Sequence, residues 1–443
     1  MATARWFPAA RPARTRRLRL DHDVAGPAPS VLSLIPVAPR SIGDYNAVVG
    51  ADTVADLRAR AEPFRGARVL HISSTAFGGG VAELLYTHVP LMRDLGLDVE
   101  WRLLEGDEAF FTVTKAMHNG LQGAEVPFTE QMRERYLEAN QINAAGLEQT
   151  YDFVIVHDPQ PAAIRSFLNG DHHVGKRWIW RCHIDLTQPL ELVWDFLSEF
   201  VGDYDACIFT MRDFVPAAFS PRKLALITPS IDPLSLKNIP LDHEIVSAVT
   251  ARYGVDDHRP LMLQVSRFDP WKDPLGVIDA FRIARERVDG LQLVMIASMA
   301  SDDPEGWHYY SRTEEHRAGD PDISLLSNLQ EVGALDVNAF QYAANVIVQK
   351  SLREGFGLTV TEGMWKRKAV IAGDVGGIRL QIDDAVTGYL VDSVEACAER
   401  VVQVLEDTER AAAMGVAARS IVRERYLTTR DLAEYLDLFR DLA

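Results

Sequence analysis

Short, β-branched apolar runs alternate with longer helical patterns along most of this chain, and the runs themselves carry no polar alternation. "ARVLHIS" precedes "GGGVAELLYTHVPLMRDL", "DFVIVH" precedes "PQPAAIRSFL", "RWIWRCHI" precedes "PLELVWDFLSEFV", and "ACIFT" follows. A strand that is apolar on both faces must be covered on both, as in a parallel sheet with helices on either side. The rhythm restarts beyond the polar, proline-bearing "PSIDPLSLKNIPLDHE", with "LMLQVS", "LQLVMIA", "ANVIVQ" and "AVIAG" separated by helices such as "PLGVIDAFRIARERV". The pattern predicts an α/β protein of two doubly wound, Rossmann-like domains facing a central cleft. At 443 residues the chain also exceeds what one compact core usually supports. We place an N-terminal tail, poorly ordered in part, at 1–40, a first domain at 41–235 and a second at 236–443. The closing segments "AERVVQVLEDTERAAAMGVAARSIVRERY" and "RDLAEYLDLFRDL" read as helices, the last expected to pack back on the first domain.

Composition narrows the partners. With 47% apolar and 25% charged residues the chain is an ordinary globular one, and its formal charge of −17 repels nucleic acid and anionic membranes. Small molecules are the expected partners, and any bound anion needs a local cationic pocket; a homodimer is compatible with this composition. Three scattered cysteines and no C-x-x-C pair argue against a disulfide framework and fit a reducing cytoplasm. The first twenty residues hold six arginines and no acid, which reads as a tail or an overlong start rather than an export signal. No apolar run approaches the roughly 20 residues of a spanning helix.

In doubly wound folds ligands bind beyond the carboxyl ends of the strands, here in the cleft between domains. "REGFGLTVTE" follows the strand "ANVIVQK" and opens a helix. Gly355 and Gly357 admit close backbone approach, and the amides of Phe356, Gly357, Leu358 and Thr359 form an anion site at the helix start. At ~1.5 Å rise per residue, Glu362 lies roughly 10 Å from Glu354. That spacing suits one carboxylate on sugar hydroxyls, amides on a diphosphate and the other carboxylate on a ribose diol. Taken alone, the segment equally fits a capped helix with a solvated acid, or a glycosidase carboxyl pair ~5 to 10 Å apart. "SRFDPWKD" sets Arg267 and Lys272 just after "LMLQV", where a fork and a point charge can neutralise phosphate as Mg²⁺ does elsewhere. Two solvated surface cations are the bland alternative. In the first domain Gly78, Gly79 and Gly80 join a strand to a helix without matching a Walker loop or G-x-G-x-x-G. His157 with Asp158, and His183 with Asp185, stand at strand ends and point to sugar hydroxyls. The stripe Lys115, His118, Asn119 and Gln122 reads as a solvated helix face. No metal is expected: "DYD" at Asp203–Asp205 lies away from the cleft, there is no H-E-x-x-H, and His172–His173 reads as a loop.

Together, "STAFGGGVAELL", "EGDEAFFTVTKAMHNGLQG", "VHDPQPAA", "WRCHIDL", "VSRFDPWK", "DDPEGW" and "REGFGLTVTEGMWK" resemble the retaining GT-B glycosyltransferases of family 4, and within them the trehalose-forming branch. The resemblance covers the chain from about residue 41 onward. It implies a metal- and cofactor-free transfer of glucose from ADP-, UDP- or GDP-glucose to free glucose, giving α,α-trehalose, reversibly and by a front-face route. By position it implies Glu354 and His183 on the donor sugar, Glu362 on the ribose, Arg267 and Lys272 on the diphosphate, and Gly80 beside the donor phosphate. Asp158 would meet the acceptor, with Asp185 near it. Asp273 departs from the glycine of many relatives and is expected to add an anion beside the phosphate cations. A retaining trehalose phosphorylase, and a non-catalytic nucleotide-sugar sensor, share the same residues.

Overall fold

The computed structural model describes residues 32–443 except 78, 148, 169–173, 298 and 300–303. Most of the N-terminal tail, Gly78, His172–His173 and the two aspartates of "DDPEGW" thus lie outside the described residues. The first sheet comprises β1 (Ser33–Leu34), β2 (Arg68–Ser73), β3 (Asp98–Leu103), β4 (Tyr151–His157), β5 (Gly175–Arg181), β6 (Ala206–Phe209) and β7 (Leu224–Leu226). Its order is β1-β3-β2-β4-β5-β6-β7, with only the edge strand β1 antiparallel. The second comprises β8 (Leu261–Val265), β9 (Gln292–Ala297), β10 (Ile323–Ser327), β11 (Val346–Gln349), β12 (Val370–Gly373) and β13 (Tyr389–Val391). It is fully parallel, in the order β10-β9-β8-β11-β12-β13.

Each sheet is buried on both faces. In β4, Val154 and Val156 enter one core while Phe153 and Ile155 enter the other. In β8, Leu261, Leu263 and Val265 face one core of the second domain and Met262 the other. This is the period-2 geometry that all-apolar strands require. The last helix, Thr428–Leu442, sends Leu432, Tyr435, Leu436 and Phe439 into a core of the first sheet. Phe439 stacks on Phe153 with centroids 4.2 Å apart. The chain therefore crosses between domains twice, and the crossings pair: Ile231 N–H donates to Tyr426 O and Thr428 N–H to Ile231 O, at 2.9 and 3.1 Å.

Two expected elements differ. "PQPAAIRSFL" yields only a short 3₁₀ helix, Ile164–Phe167, and no α-helix. The long closing segment divides at Asp407, which ends the helix Val394–Glu406 and caps Thr408–Arg425. Cys182, Cys207 and Cys397 are buried and free. No helix among the described residues is long and apolar enough to cross a membrane.

Candidate active site

The loop after β11 carries the first part of the site. Gly357 adopts φ 87° as N-cap of the helix Leu358–Trp365, a backbone that any side chain would strain. Leu358 and Thr359 open that helix, while Phe356 is buried with its ring 5.5 Å from that of Tyr426. A side chain at Gly355 would sit 2.2 Å from His183 O, so here the loops of the two domains touch. Glu354 accepts from Ser351 Oγ at 3.1 Å and pairs with Lys272 Nζ. Lys272 stands on a 3₁₀ turn, Pro270–Lys272, capped by Asp269, whose other oxygen lies 3.1 Å from Arg267 Nη2. Arg267 remains 42% exposed. Asp273 adopts φ 48°, which explains why glycine suits the position, and Asp is among the few others that tolerate it. Its carboxylate pairs with Lys350 and caps Gly276 N–H at 3.2 Å, so the expected extra anion already has its own cation.

Across the cleft, Gly79 caps the helix Gly80–Asp94, and a side chain on Gly80 would lie 3.0 Å from Leu358 Cδ1. Two helix N-termini thus converge from opposite domains. Asp158, at φ 63°, accepts His183 N–H at 2.8 Å, and burial pushes its carboxyl up to about 7. His183 Nε2 lies 3.1 Å from His157 Nδ1. Asp185 is buried and accepts Thr187 N–H at 2.9 Å, so one of its oxygens closes its own turn. The polar stripe is only partly open to solvent. Lys115 Nζ is 2.9 Å from Glu305, Asn119 donates to the same carboxylate at 3.4 Å, and Gln122 is buried. Burial, then Arg267, pushes His118 down to about 3. The stripe is half-covered because the second domain lies over it, which a helical period cannot reveal.

Farther along, Glu362 is 1% exposed, accepts Gln341 Nε2 at 3.0 Å and lies 3.6 Å from Lys237 Nζ. Lys237 Nζ also pairs with Glu83 at 2.6 Å. Burial opposes the Lys237 charge, but Glu362 and Glu83 more than compensate and raise its pKa. This triad joins the first-domain helix, the crossing segment and the second-domain helix, and borders a cavity of about 210 Å³ lined also by Leu358, Ser235 and Ala334. Glu83, Lys237, His118 and Glu305 were not singled out as functional from sequence. Glu83 does occupy the first turn after the glycines, but Lys237 offers no local signal. Asp203 and Asp205 face Arg222, and among the described residues no cluster of three His, Cys, Asp or Glu side chains is placed to share a metal.

Two doubly wound domains whose strand ends and helix starts meet in one cleft define a GT-B glycosyltransferase. Two family models match, "Trehalose synthase, N-terminal domain" over residues 71–216 and "Glycosyl transferases group 1" over 248–421. A trehalose synthase of Rubrobacter xylanophilus is 49% identical over 406 residues, covering 91% of this chain and 97% of its own. The chain belongs to the trehalose synthase family of glycosyltransferases, and its reaction is trehalose-related glycosyl transfer. More distantly, a trehalose phosphorylase of Grifola frondosa is 26% identical over 90% of this chain and 60% of its own. Among solved structures, one described as "Trehalose-6-phosphate from E. coli bound with UDP-2-fluoro glucose" shares the fold, with a TM-score of 0.66 at 14% identity over 85% of this chain and 99% of that one.

Proposed function

We propose that the protein moves glucose from a nucleoside diphosphate glucose to free glucose, forming α,α-trehalose with retention at the donor's anomeric carbon and without a metal ion. One observation carries this reading: two helix N-termini converge on a cleft where Lys272 pairs with Glu354, and Arg267 stands beside Asp269, the cap of the turn that carries Lys272. Helix-start amides and dipoles favour an anion, and the two cations supply the charge a diphosphate leaving group needs. During transfer positive charge grows at the anomeric carbon and negative charge on the leaving phosphate. Lys272 and Arg267 stabilise the latter. Glu354, held by Lys272, meets the sugar hydroxyls rather than attacking carbon. The leaving phosphate takes the acceptor's proton on the same face, which retains configuration. Glu362, oriented by Gln341 and Lys237, receives the ribose, and Asp158 and His183 line the sugar end. The UDP-2-fluoro glucose bound to the E. coli neighbour is a nucleoside diphosphate sugar, the chemical class of this donor.

The test offers ADP-, UDP- and GDP-glucose with glucose in chelator-treated buffer and reads the product's anomeric configuration by NMR. At least one donor is expected to give α,α-trehalose. Trehalose cleavage supported by inorganic phosphate, and by neither ADP nor UDP, would replace this reading with phosphorolysis; nucleotide-sugar binding without turnover would make the protein a sensor.

A further inference from the structure

Behind His183 lies a buried row of imidazoles that the transfer chemistry above leaves unused. His157 Nδ1 is 3.1 Å from His183 Nε2, and His157 Nε2 is 3.0 Å from His71 Nδ1. Successive rings stack, with centroids 5.4 and 5.3 Å apart and interplanar angles of 15° and 27°. The row follows from strand periodicity. His71 in β2 shares a face with Val69, His157 closes β4 on the face of Phe153 and Ile155, and His183 lies just past β5. His71 and His157 are 0% and 3% exposed, whereas His183 is half-buried at the cleft wall.

Charged neighbours surround the row. Arg181, opposite His157 in the sheet register, is 1% exposed, and its Nε and Nη1 reach no acceptor among the described residues. His88 Nε2, from the helix Gly80–Asp94, lies 3.2 Å from Asp431 Oδ2 of the last helix, which also accepts Ser230 Oγ at 2.8 Å. Burial, then His88, pushes His71 down to about 3. Burial also holds His157 well below its ordinary value, aided by His71 and His183, and holds His183 down with help from Arg181.

A neutral imidazole has one N–H and one lone pair. Each contact in the row needs one of each, so the choice at one ring dictates the next and only two arrangements satisfy both contacts. In the first every ring is protonated on Nδ1: His71 donates to His157, His157 donates to His183, and the free N–H emerges at His183 Nδ1. In the second every ring is protonated on Nε2, and the free N–H is left at His71 Nε2, buried and without a partner among the described residues. Arg181 already brings two donors to this face that lack acceptors. An additional orphan N–H is the costlier end, so a lone pair belongs there.

We propose that His71 and His157 are positioning residues that fix His183 with its proton on Nδ1, so that His183 meets the sugar in the cleft as a hydrogen-bond donor. The kinetic consequence rests on the reading of His183 as a donor-sugar contact, whereas the tautomer is a property of the free protein. Nitrogen NMR of histidine-labelled, ligand-free protein reads it directly. The expected result is His183 protonated on Nδ1 and unchanged between about pH 6 and 8, where a free imidazole titrates. His71→Leu, two rings from the cleft, and His157→Leu should each release His183 into a tautomer mixture. His157→Asn, which keeps an amide donor near the position of Nδ1, should restore the single form. A wild-type His183 protonated on Nε2, or one indifferent to both leucine variants, overturns the proposal.

Kinetics give a second reading, with a set of monodeoxyglucose nucleotide donors. For the hydroxyl that His183 meets, the wild type should lose about 10- to 100-fold in kcat/KM on the deoxy donor, the scale of one buried polar group left without its partner. Both leucine variants should lose a similar factor on the parent donor and show little further loss on the deoxy one. A deoxy penalty undiminished in both variants overturns the proposal. If no nucleotide sugar turns over at all, the functional reading fails while the nitrogen spectra still decide the tautomer.

Discussion

Lys272 and Glu354 touch, so a change at either is felt by both. Their side chains are 15% and 10% exposed, and removing one partner leaves the other charge poorly hydrated and unpaired. Lys272→Ala is expected to lower kcat by about 10²–10³-fold, the loss typical of a deleted transition-state charge contact, and to lower the melting temperature. Adding Glu354→Gln should recover the melting temperature and none of the kcat, which calorimetry beside initial-rate kinetics will show. Asp158 supplies a pH signature. Its carboxyl is raised to about 7 by burial, so it is neutral below that pH and ionised above it, and in the proposed function the ionised form accepts from the sugar's hydroxyls. The acceptor KM should fall as pH rises through about 7, and Asp158→Asn should flatten that dependence. The stability sign is the opposite. The unfolded chain ionises near the ordinary carboxyl value while the folded one stays protonated, so Asp158 costs stability increasingly as pH rises between the two. Asp158→Asn should therefore raise the melting temperature at pH 8 relative to wild type, and not at pH 4. The residues readable from sequence, Glu354, Arg267, Lys272, Asp158 and His183, all follow strand ends, where a doubly wound sheet exposes side chains to ligand. Lys237 was not readable because its partners, Glu83 and Glu362, come from two distant helices and meet only after folding.

At the scale of elements, the site is the meeting of loops and helix starts. The loop Ser351–Gly357 approaches the His183 backbone so closely that an added methyl at Gly355 would fall 2.2 Å from His183 O. Gly355→Ala must push the two loops apart, moving Glu354 on one side and His183 on the other. A displacement on the order of 1 Å costs about 10²-fold in rate, and because both sugar-facing loops shift, kcat should fall while the melting temperature changes little. Loss of stability without loss of kcat would mean that the loops do not need this contact. The strands legible from sequence are the central, doubly buried ones. β3, "DVEWRL", mixes charges with apolar residues because it lies near the sheet edge, paired with the two-residue β1. β10, β13 and β7 escaped notice for the related reason that edge or short strands need less apolar character on both faces. Helix orientation was harder to read than helix existence: the stripe from Lys115 to Gln122 has the right period for either a wet face or a covered one.

At the scale of the whole molecule, the chain's order and the order of its cores disagree. The last helix follows the entire second domain yet fills a core of the first, with Phe439 stacked on Phe153 at 4.2 Å and Leu432, Leu436 and Phe439 fully buried. Such long-range pairing makes the first domain wait for the end of the chain before its core can close. Phe439→Ala should destabilise by about 3–5 kcal/mol, as for other fully buried aromatics. A stronger test separates the helix from the rest. A chain ending at Tyr426 should bind a hydrophobic dye and melt without a sharp transition, since the core face above β2 and β4 is uncovered. A synthetic peptide spanning Leu427–Ala443, added to that chain, should restore a cooperative melt whose midpoint climbs with peptide concentration, because anything that binds only the folded form stabilises it by mass action. The peptide must also return Asp431 to His88 and Ser230, whose contacts in the full chain measure 3.2 and 2.8 Å. A peptide carrying Asp431→Leu should therefore restore the melt less well than the parent. If the truncated chain melts as sharply and as high as the full protein, the last helix is a passenger on the first domain, and the coupling of the two crossings at Ile231 and Leu427 has no energetic weight.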